Sequence, residues 1–181
     1  IIGFIIGALA GALVGYLKHR FNINEVVSTI MFNYISQNVI SFLINTFYVD
    51  PVSRQSKNVG AAGRLTLVDV VIGDYKMDIP LGILLAAVGI AVTAFLLGKT
   101  TLGFEIKAVG SSIRAAEYAG IQVGRTRVLA MMLSGGFAGL AGVTYYMGYF
   151  ASIQPKVLVS TGYDAIAVAL LGNSSPIGIV F

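Results

Sequence analysis

The chain has 181 residues, of which 56% are hydrophobic and 11% are charged, and its mean hydropathy is +0.85. Soluble domains carry about 25% charged residues, so this composition excludes an ordinary soluble domain and indicates a polytopic membrane protein. There is no cysteine and one histidine, His19, which excludes a disulfide framework, thiol chemistry and a multi-histidine metal site within the chain. The net charge of +4 comes from basic residues scattered among loops, a pattern that does not indicate nucleic-acid binding.

The first predicted span covers residues 1–17, an apolar run with glycine at positions 3, 7, 11 and 15. Glycine at every fourth position lets two membrane helices approach closely. The run ends at Lys18, His19 and Arg20, and the positive-inside rule assigns such a basic turn to the cytoplasm. Because the chain begins and ends within apolar runs, we expect it to be an internal piece of a longer protein.

The second predicted span, residues 25–47, is long enough to cross a bilayer with some tilt. One helical face of this span is polar at about 100° per residue, and it carries Glu25, Ser28, Thr29, Asn33 and Ser36. Polar groups are costly against lipid, so this face should point to other helices or to a water-filled path. Two interpretations stay open: hydrogen bonds between helices, or the lining of a translocation path that contacts substrate.

Residues 48–78 form a long loop that we predict to be solvated and extracellular. Residues 65–72 could form a short strand or a partly inserted hairpin. Asp69, Asp74 and Asp78 lack the regular ligand spacing of a calcium loop, so we do not predict a metal site.

The third predicted span covers residues 79–97, with Pro80 in its first turn, where a missing N–H costs nothing.

Gly98, Lys99 and Thr100 imitate the end of a phosphate-binding loop, G-x-x-x-x-G-K-[ST]. The first glycine of that motif would fall at position 93, which is Thr93, and the sequence follows a membrane helix instead of a strand. We therefore predict no ATP site here and place the energy source on a partner.

Residues 98–127 are predicted to be a cytoplasmic loop that contains one short helix. Ser111 or Ser112 can cap its start, residues 113–119 contain no breaker, and Gly120 can end it in the left-handed conformation. Arg114 and Glu117 lie one turn apart. A helix of about two turns is unstable alone, so we expect it to lean on something. Its small residues, Ala115, Ala116 and Ala119, would let another protein approach closely. The local pattern alone also fits an ordinary cytoplasmic loop.

The fourth predicted span, residues 128–150, contains a run of small residues at 134–142 that favours close helix packing. Tyr145, Tyr146 and Tyr149 could form an interfacial aromatic belt or stack on a base or sugar.

The last segment, 163–181, has only seven apolar residues before Gly172, so it predicts a broken helix. Such breaks are tolerated where protein or a cavity satisfies the backbone and often mark a transporter's substrate site. Asn173 is a candidate substrate contact there, and a purely structural break is the alternative.

Four blocks, residues 24–35, 103–121, 134–142 and 162–178, resemble the permease subunits of bacterial ABC importers for sugars, branched-chain amino acids and nucleosides. The resemblance is closest to the nucleoside permeases that work with a substrate-binding lipoprotein, mainly because sugar permeases carry a proline-rich version of block 24–35. One departure is the absence of an acidic residue soon after residue 142, where those nucleoside permeases tend to have one.

The resemblance implies an all-α, polytopic transmembrane bundle of about five membrane segments, at least one of them broken. It implies that residues 103–121 hold the coupling helix that sits in a cleft of a cytoplasmic ABC ATPase. The implied coupling residues are Glu105, Lys107, Arg114, Ala115, Ala116, Glu117 and Gly120. The implied substrate path includes Glu25, Thr29, Asn33, Ser36 and Asn173.

The resemblance also implies three protein partners in a bacterial cytoplasmic membrane: the ATPase, a second permease subunit, and an extracellular lipoprotein or periplasmic protein that delivers substrate. No cofactor is expected in this chain, since ATP and Mg²⁺ would bind the partner ATPase. The lysines and arginines agree with this topology, with seven in the predicted inside loops and five outside. The alternatives are a simple-sugar permease or an ion-coupled carrier or channel, although Glu25 and Asp164 lie at span ends and not near the membrane centre.

Overall fold

The computed structural model describes residues 1–48, 66–72, 75–80, 82–150, 153, 161–173, 175, 176, 178 and 179. The helices within these residues are α1 (Ile2–Phe21), α2 (Glu25–Leu43), α3 (Gly82–Lys99), α4 (Thr101–Ser111), α5 (Ile113–Tyr118), α6 (Val123–Thr144) and α7 (Thr161–Leu171). Wider π-helical turns extend α2 over Ile44–Tyr48 and α6 over Tyr145–Phe150. Strands β1 (Thr66–Ile72) and β2 (Tyr75–Pro80) pair antiparallel.

Four helical segments are long and apolar enough to cross a membrane: Ile2–Phe21, Glu25–Phe47, Gly82–Lys99 and Val123–Gly148. Many of the large apolar side chains in these segments are exposed, and no residue of α3 is buried. A helix that is apolar all round is stable only when lipid or other helices cover it. The predicted all-α, polytopic membrane fold is therefore confirmed.

The turn between α1 and α2 is closed by its own polar groups. Asn22 ends α1 in the left-handed conformation, with φ 52°, and the Asn24 side chain accepts a hydrogen bond from the Val26 N–H at 2.9 Å. Lys18 and Glu25 form an ion pair across the turn. These contacts hold the two helices as a tight helical hairpin.

Glycines on α1 and α6 let the two helices pack backbone to backbone. A Cβ added to Gly7 would lie 2.9 Å from the Gly139 Cα, and one added to Gly11 would lie 3.1 Å from the Gly135 Cα. Since residue numbers rise on α1 as they fall on α6, the helices are antiparallel. The sequence predicts close helix packing for each of these two glycine-rich runs. In the structure the two runs pack against each other. Below, the contacts of Gly3, Gly7, Gly11 and Gly15 with residues 128–143 are called the glycine seam.

The third span begins later than residue 79. Ile79 and Pro80 belong to β2, where Pro80 lies opposite Thr66 at the end of the hairpin, and α3 begins at Gly82. Proline cannot donate to a sheet ladder, so it is tolerated at the end of a strand as well as at the start of a helix. Thr66–Ile72 is one strand, paired with β2 in a hairpin, which agrees with the short strand expected over residues 65–72, while a partial insertion of this hairpin stays a prediction. Residues 49–65 and Asp74 lie outside the described residues.

The last helix is broken, as predicted. Helix α7 has 11 residues, which is about 16 Å of helix against a hydrocarbon core of about 30 Å. After it, Asn173 takes a positive φ of 50°. Gly172 is buried, and a Cβ placed on it would lie 2.8 Å from the Ile179 nitrogen, so glycine is required where the chain folds back.

Candidate functional site

Residues 101–127, called the bracket below, comprise α4, α5 and the first turn of α6. Helix α4 occupies residues that the sequence analysis assigned to loop, and Thr100 explains how it starts. The Thr100 hydroxyl donates to the Leu96 carbonyl at 2.6 Å and accepts from the Gly103 N–H at 3.1 Å. Gly103 is buried in this turn, since an added Cβ would lie 2.7 Å from the Leu97 Cα. Gly98 and Lys99 therefore end α3, and Thr100 alone connects it to α4, a context unlike that of a phosphate-binding loop.

Both ends of α5 are capped as the sequence predicts. The Ser112 hydroxyl accepts a hydrogen bond from the Ala115 N–H at 3.3 Å. At the other end Gly120 has a φ of 79°, its N–H donates to the Glu117 carbonyl, and the Ile121 N–H donates to the Ala116 carbonyl, both at 3.0 Å. These two bonds form a Schellman motif, which satisfies carbonyls that a six-residue helix would otherwise leave unpaired.

Ala116 corrects the expectation of an alanine surface open to a partner. It is only 1% exposed and packs with Val109 of α4 and Val123 of α6, with Ala108 and Ile121 at the edge of this cluster. The sequence showed three small residues but not which side of the short helix would face inward. Ala116 therefore holds α5 against α4 and α6, while Ala115 and Ala119 remain exposed.

A polar contact adds to this small core. The Thr126 side chain is 2% exposed, and its hydroxyl lies 3.3 Å from the Glu105 carboxylate and 3.1 Å from the Gln122 carbonyl. The second contact is the usual bond of a helical threonine to its own backbone. The first joins α4 to α6 and turns the Glu105 carboxylate, a predicted coupling residue, inward.

The outer side of the bracket is charged and aromatic. Lys107, Arg114 and Glu117 are exposed, and Tyr118 is 92% exposed. Four of the seven predicted coupling residues lie on the outer side of the bracket: Lys107, Arg114, Ala115 and Glu117. A fifth, Ala116, lies in its core. Gly120 caps the helix and Glu105 contacts Thr126.

The predicted polar face of α2 is a continuous helical stripe. The Thr29 hydroxyl donates within its own helix, to the carbonyls of Glu25 and Val26, and Ser36 is half-buried. Asn33 is exposed, and within the described residues its amide makes no hydrogen bond. Glu25 lies at the α1–α2 turn in its ion pair with Lys18, at the end of the span instead of its centre.

Asn173 is exposed at the break after α7, where its N–H donates to the Leu170 carbonyl at 3.1 Å. Asparagine tolerates the left-handed conformation better than most residues, so its backbone alone accounts for this position.

At the end of the fourth span, the Tyr145 and Tyr146 rings pack edge to face with centroids 5.3 Å apart. Both the belt and the stacking interpretation of these tyrosines stay open.

Sequence reasoning missed Thr126 and Tyr118. Thr126 lies between two arginines, in a segment predicted only to be part of the cytoplasmic loop 98–127. Tyr118 stood in the block that carries the resemblance, but its exposure follows from the direction of Ala116, which only the fold reveals.

The comparisons with known proteins cover the whole chain. The profile of the family described as "Branched-chain amino acid transport system / permease component" matches residues 1–181. The nucleoside ABC transporter permease protein NupB of Lactococcus lactis subsp. cremoris is 38% identical over 100% of this chain and 51% of its own length. The guanosine ABC transporter permease protein NupP of Bacillus subtilis is 37% identical over 96% of this chain and 50% of its own length.

A more distant relative is the glucose ABC transporter permease protein TsgB13 of Haloferax volcanii, which is 26% identical over 96% of this chain and 47% of its own length. The chain thus spans about half the length of these curated relatives. No solved structure matches it.

Proposed function

This chain belongs to the family of permease components of branched-chain amino acid transport systems, and from that premise we propose that it is part of the membrane-spanning subunit of an ATP-driven importer of nucleosides. The proposed cargo is supported by the names of the two relatives that are 37–38% identical to the chain. It is also supported by block 24–35, which resembles nucleoside permeases more than sugar permeases.

The proposed assembly has three kinds of protein subunit at a bacterial cytoplasmic membrane. Two permease subunits form the path, a lipoprotein or periplasmic protein delivers the nucleoside from outside, and cytoplasmic ATPase subunits bind ATP and Mg²⁺. The permease then has no enzymatic step of its own. It converts a displacement of the ATPase into a switch between outward-facing and inward-facing states.

The observation that carries this proposal is the bracket. It is a compact helical element in a segment rich in basic residues between two membrane spans, and it presents a charged outer side. Its core and caps make α5 rigid enough to transmit force, which an isolated helix of six residues could not do. The nucleoside would pass along the polar stripe of α2, with Asn33 available to bind a base or ribose and Asn173 as a second candidate contact.

The test uses two adjacent alanines that face opposite ways. In a cysteine-free form of the full-length protein, we expect Ala115→Cys to form a disulfide with a cysteine in the cleft of the co-encoded ATPase, with a yield that changes when ATP is added. Ala116→Cys is the matched control, because its side chain is buried within the bracket and should give little cross-link.

The same variants report topology. A membrane-impermeant thiol reagent should label Ala115→Cys in inside-out vesicles and not in intact cells. Labelling from the outside of intact cells, with no cross-link to the ATPase, would contradict the proposal.

A simple-sugar permease is the second candidate, because TsgB13 is named for glucose. The two cargoes are separated by competition: excess unlabelled guanosine and not excess glucose should block uptake of labelled guanosine. An ion-coupled carrier is less well supported, because Glu25 is paired at the α1–α2 turn and Asp164 lies in the first turn of α7.

A further inference from the structure

Thr126 is the most deeply buried polar residue that the structure describes, with 2% of its surface exposed. It lies in the first turn of α6, directly after the exposed Arg125. Burying a hydroxyl is costly unless it is hydrogen-bonded, and an apolar side chain of the same shape would avoid that cost. A buried hydroxyl at this position therefore points to a requirement for its hydrogen bond.

The Thr126 hydroxyl has one proton and two acceptors within reach. The Gln122 carbonyl lies at 3.1 Å and the Glu105 carboxylate at 3.3 Å. A bond to the carbonyl stays within α6 and joins nothing to it. The carboxylate belongs to α4, 21 positions earlier in the chain, and a charged acceptor makes the stronger bond. Among the described residues Glu105 makes no ion pair, so the Thr126 hydroxyl is what holds this carboxylate in place.

The bond lies one turn away from the apolar core of the bracket. Val109 of α4 and Val123 of α6 belong to that core, whereas Glu105 and Thr126 meet four residues earlier on α4 and three residues later on α6. Residue numbers thus fall on α4 as they rise on α6, so the two helices run antiparallel here. Along both helices the polar contact is the one nearer to a membrane span.

The two contacts restrain the helices differently. Apolar packing is non-directional, so the core alone keeps α4 and α6 together but allows them to turn about it. A hydrogen bond has a preferred distance and angle. Placed one turn from the core, it gives the pair a second point of attachment and fixes the angle between the two helices.

We propose that the hydrogen bond between Thr126 and Glu105 is the joint that makes α4 and α6 move as one body, so that a displacement of the bracket reaches the span of α6 instead of being lost as a change of angle. Both are positioning residues, which act through α6 and contact neither ATP nor cargo. The inference rests on the proposed function for the source of the displacement. It gives Glu105 a role inside the permease and adds Thr126.

The first experiment measures guanosine uptake and ATP hydrolysis by the complete transporter in proteoliposomes. Thr126→Val keeps the shape and removes the hydroxyl, and it should lower the uptake per ATP hydrolysed about fivefold or more. Thr126→Ser restores the hydroxyl and should recover most of it. Adding Glu105→Gln to Thr126→Val should cause no further loss, because the bond is already absent.

Thr93→Val is the matched control. The Thr93 hydroxyl donates only to the Gly89 carbonyl of its own helix, at 2.8 Å, so this variant loses a local bond and no contact between helices. It should leave the uptake per ATP unchanged. An equal loss for Thr93→Val and Thr126→Val, or a normal ratio for Thr126→Val, would overturn the joint.

A second experiment needs no ATPase and no cargo. Spin labels on Lys107→Cys and Arg125→Cys, two exposed positions on α4 and α6, report the distance between these helices in the permease alone. Thr126→Val should broaden the distance distribution and Thr126→Ser should not. An unchanged distribution for Thr126→Val would overturn the joint. If the distribution broadens but the unchanged transporter imports no guanosine with ATP, the joint stands and the proposed function fails.

Discussion

Gly120 is the residue on which the geometry of the bracket depends most directly. Its φ of 79° lies in the left-handed region, where an L side chain costs about 1–2 kcal/mol. Apart from its two chain neighbours, no described residue places an atom within 4 Å of the position that a Cβ would occupy. The requirement for glycine is therefore conformational and not steric, and it can be tested without a clash.

We predict that Gly120→Ala loosens the bracket by about 1 kcal/mol, which is roughly a fivefold rise in the population of open forms. The measurement is the rate at which a thiol reagent labels Ala116→Cys, which is protected while the bracket is closed. Gly120→Asn should recover part of the protection, since asparagine tolerates this conformation.

Gly110→Ala is the matched control for that measurement. Gly110 lies within α4, has no positive φ, and has open space around its Cβ position. Alanine there should leave the labelling rate unchanged or lower it slightly, since alanine favours a helix. Equal rates for Gly110→Ala and Gly120→Ala would show that the Schellman motif does not hold the bracket closed.

At the scale of elements, the glycine seam brings the backbones of α1 and α6 into direct contact. Membrane helices gain little from the hydrophobic effect when they associate, so close van der Waals contact between backbones provides much of the attraction. A side chain in the seam would meet backbone atoms, which cannot swing away as the end of a flexible side chain can. The two helices would have to separate along their length.

We predict that Gly7→Leu destabilises the full-length permease by about 1–3 kcal/mol, the usual cost of overpacking a well-packed interface. It should be detected as a lower midpoint of thermal unfolding in detergent. Gly142→Leu is the control, because Gly142 lies on α6 with no atom within 4 Å of its Cβ position. A similar loss for both variants would mean that the seam does not set the stability.

The elements also show what sequence can and cannot supply. Apolar helices and helix caps depend on local composition, so the four described helices that are long enough to cross a membrane and both ends of α5 are predictable from the residues alone. The residues alone do not predict which element contains Pro80, because proline fits a strand end as well as a helix start. Helix α4 depends on Thr100 bonding to the Leu96 carbonyl and to the Gly103 N–H, a local cap that could have been predicted. The inward direction of Ala116 depends on packing with Val109 and Val123, which is a tertiary contact with no local pattern.

For the whole molecule, a permease must pair an ATPase-driven movement with a path that recognises its cargo. The α2 stripe is the candidate for recognition, and the two asparagines of helix α2, Asn33 on the stripe and Asn38 off it, differ in a useful way. The Asn38 side chain donates to the Tyr34 carbonyl of its own helix at 2.8 Å, whereas Asn33 makes no such bond within the described residues. Five residues apart, the two side chains point about 140° away from each other around α2.

We predict that Asn33→Leu lowers the uptake of labelled guanosine about fivefold or more, because losing the partner of a buried polar group on the cargo costs about 1–3 kcal/mol. Binding of the ATPase to the bracket should be unchanged, since Asn33 is far along the chain from residues 101–127 and the bracket folds on its own contacts. The variant should therefore still bind the ATPase and fail at transport.

Asn38→Leu is the control, since it removes an amide of the same size whose hydrogen bond is local. It should keep most of the uptake. A normal rate for Asn33→Leu, or an equal loss for the two variants, would indicate that the polar residues of α2 join helices instead of lining the path. A loss of uptake together with a loss of ATPase binding would instead mean that the substitution disturbs the fold, because the proposal assigns recognition of the cargo and of the ATPase to different parts of the chain.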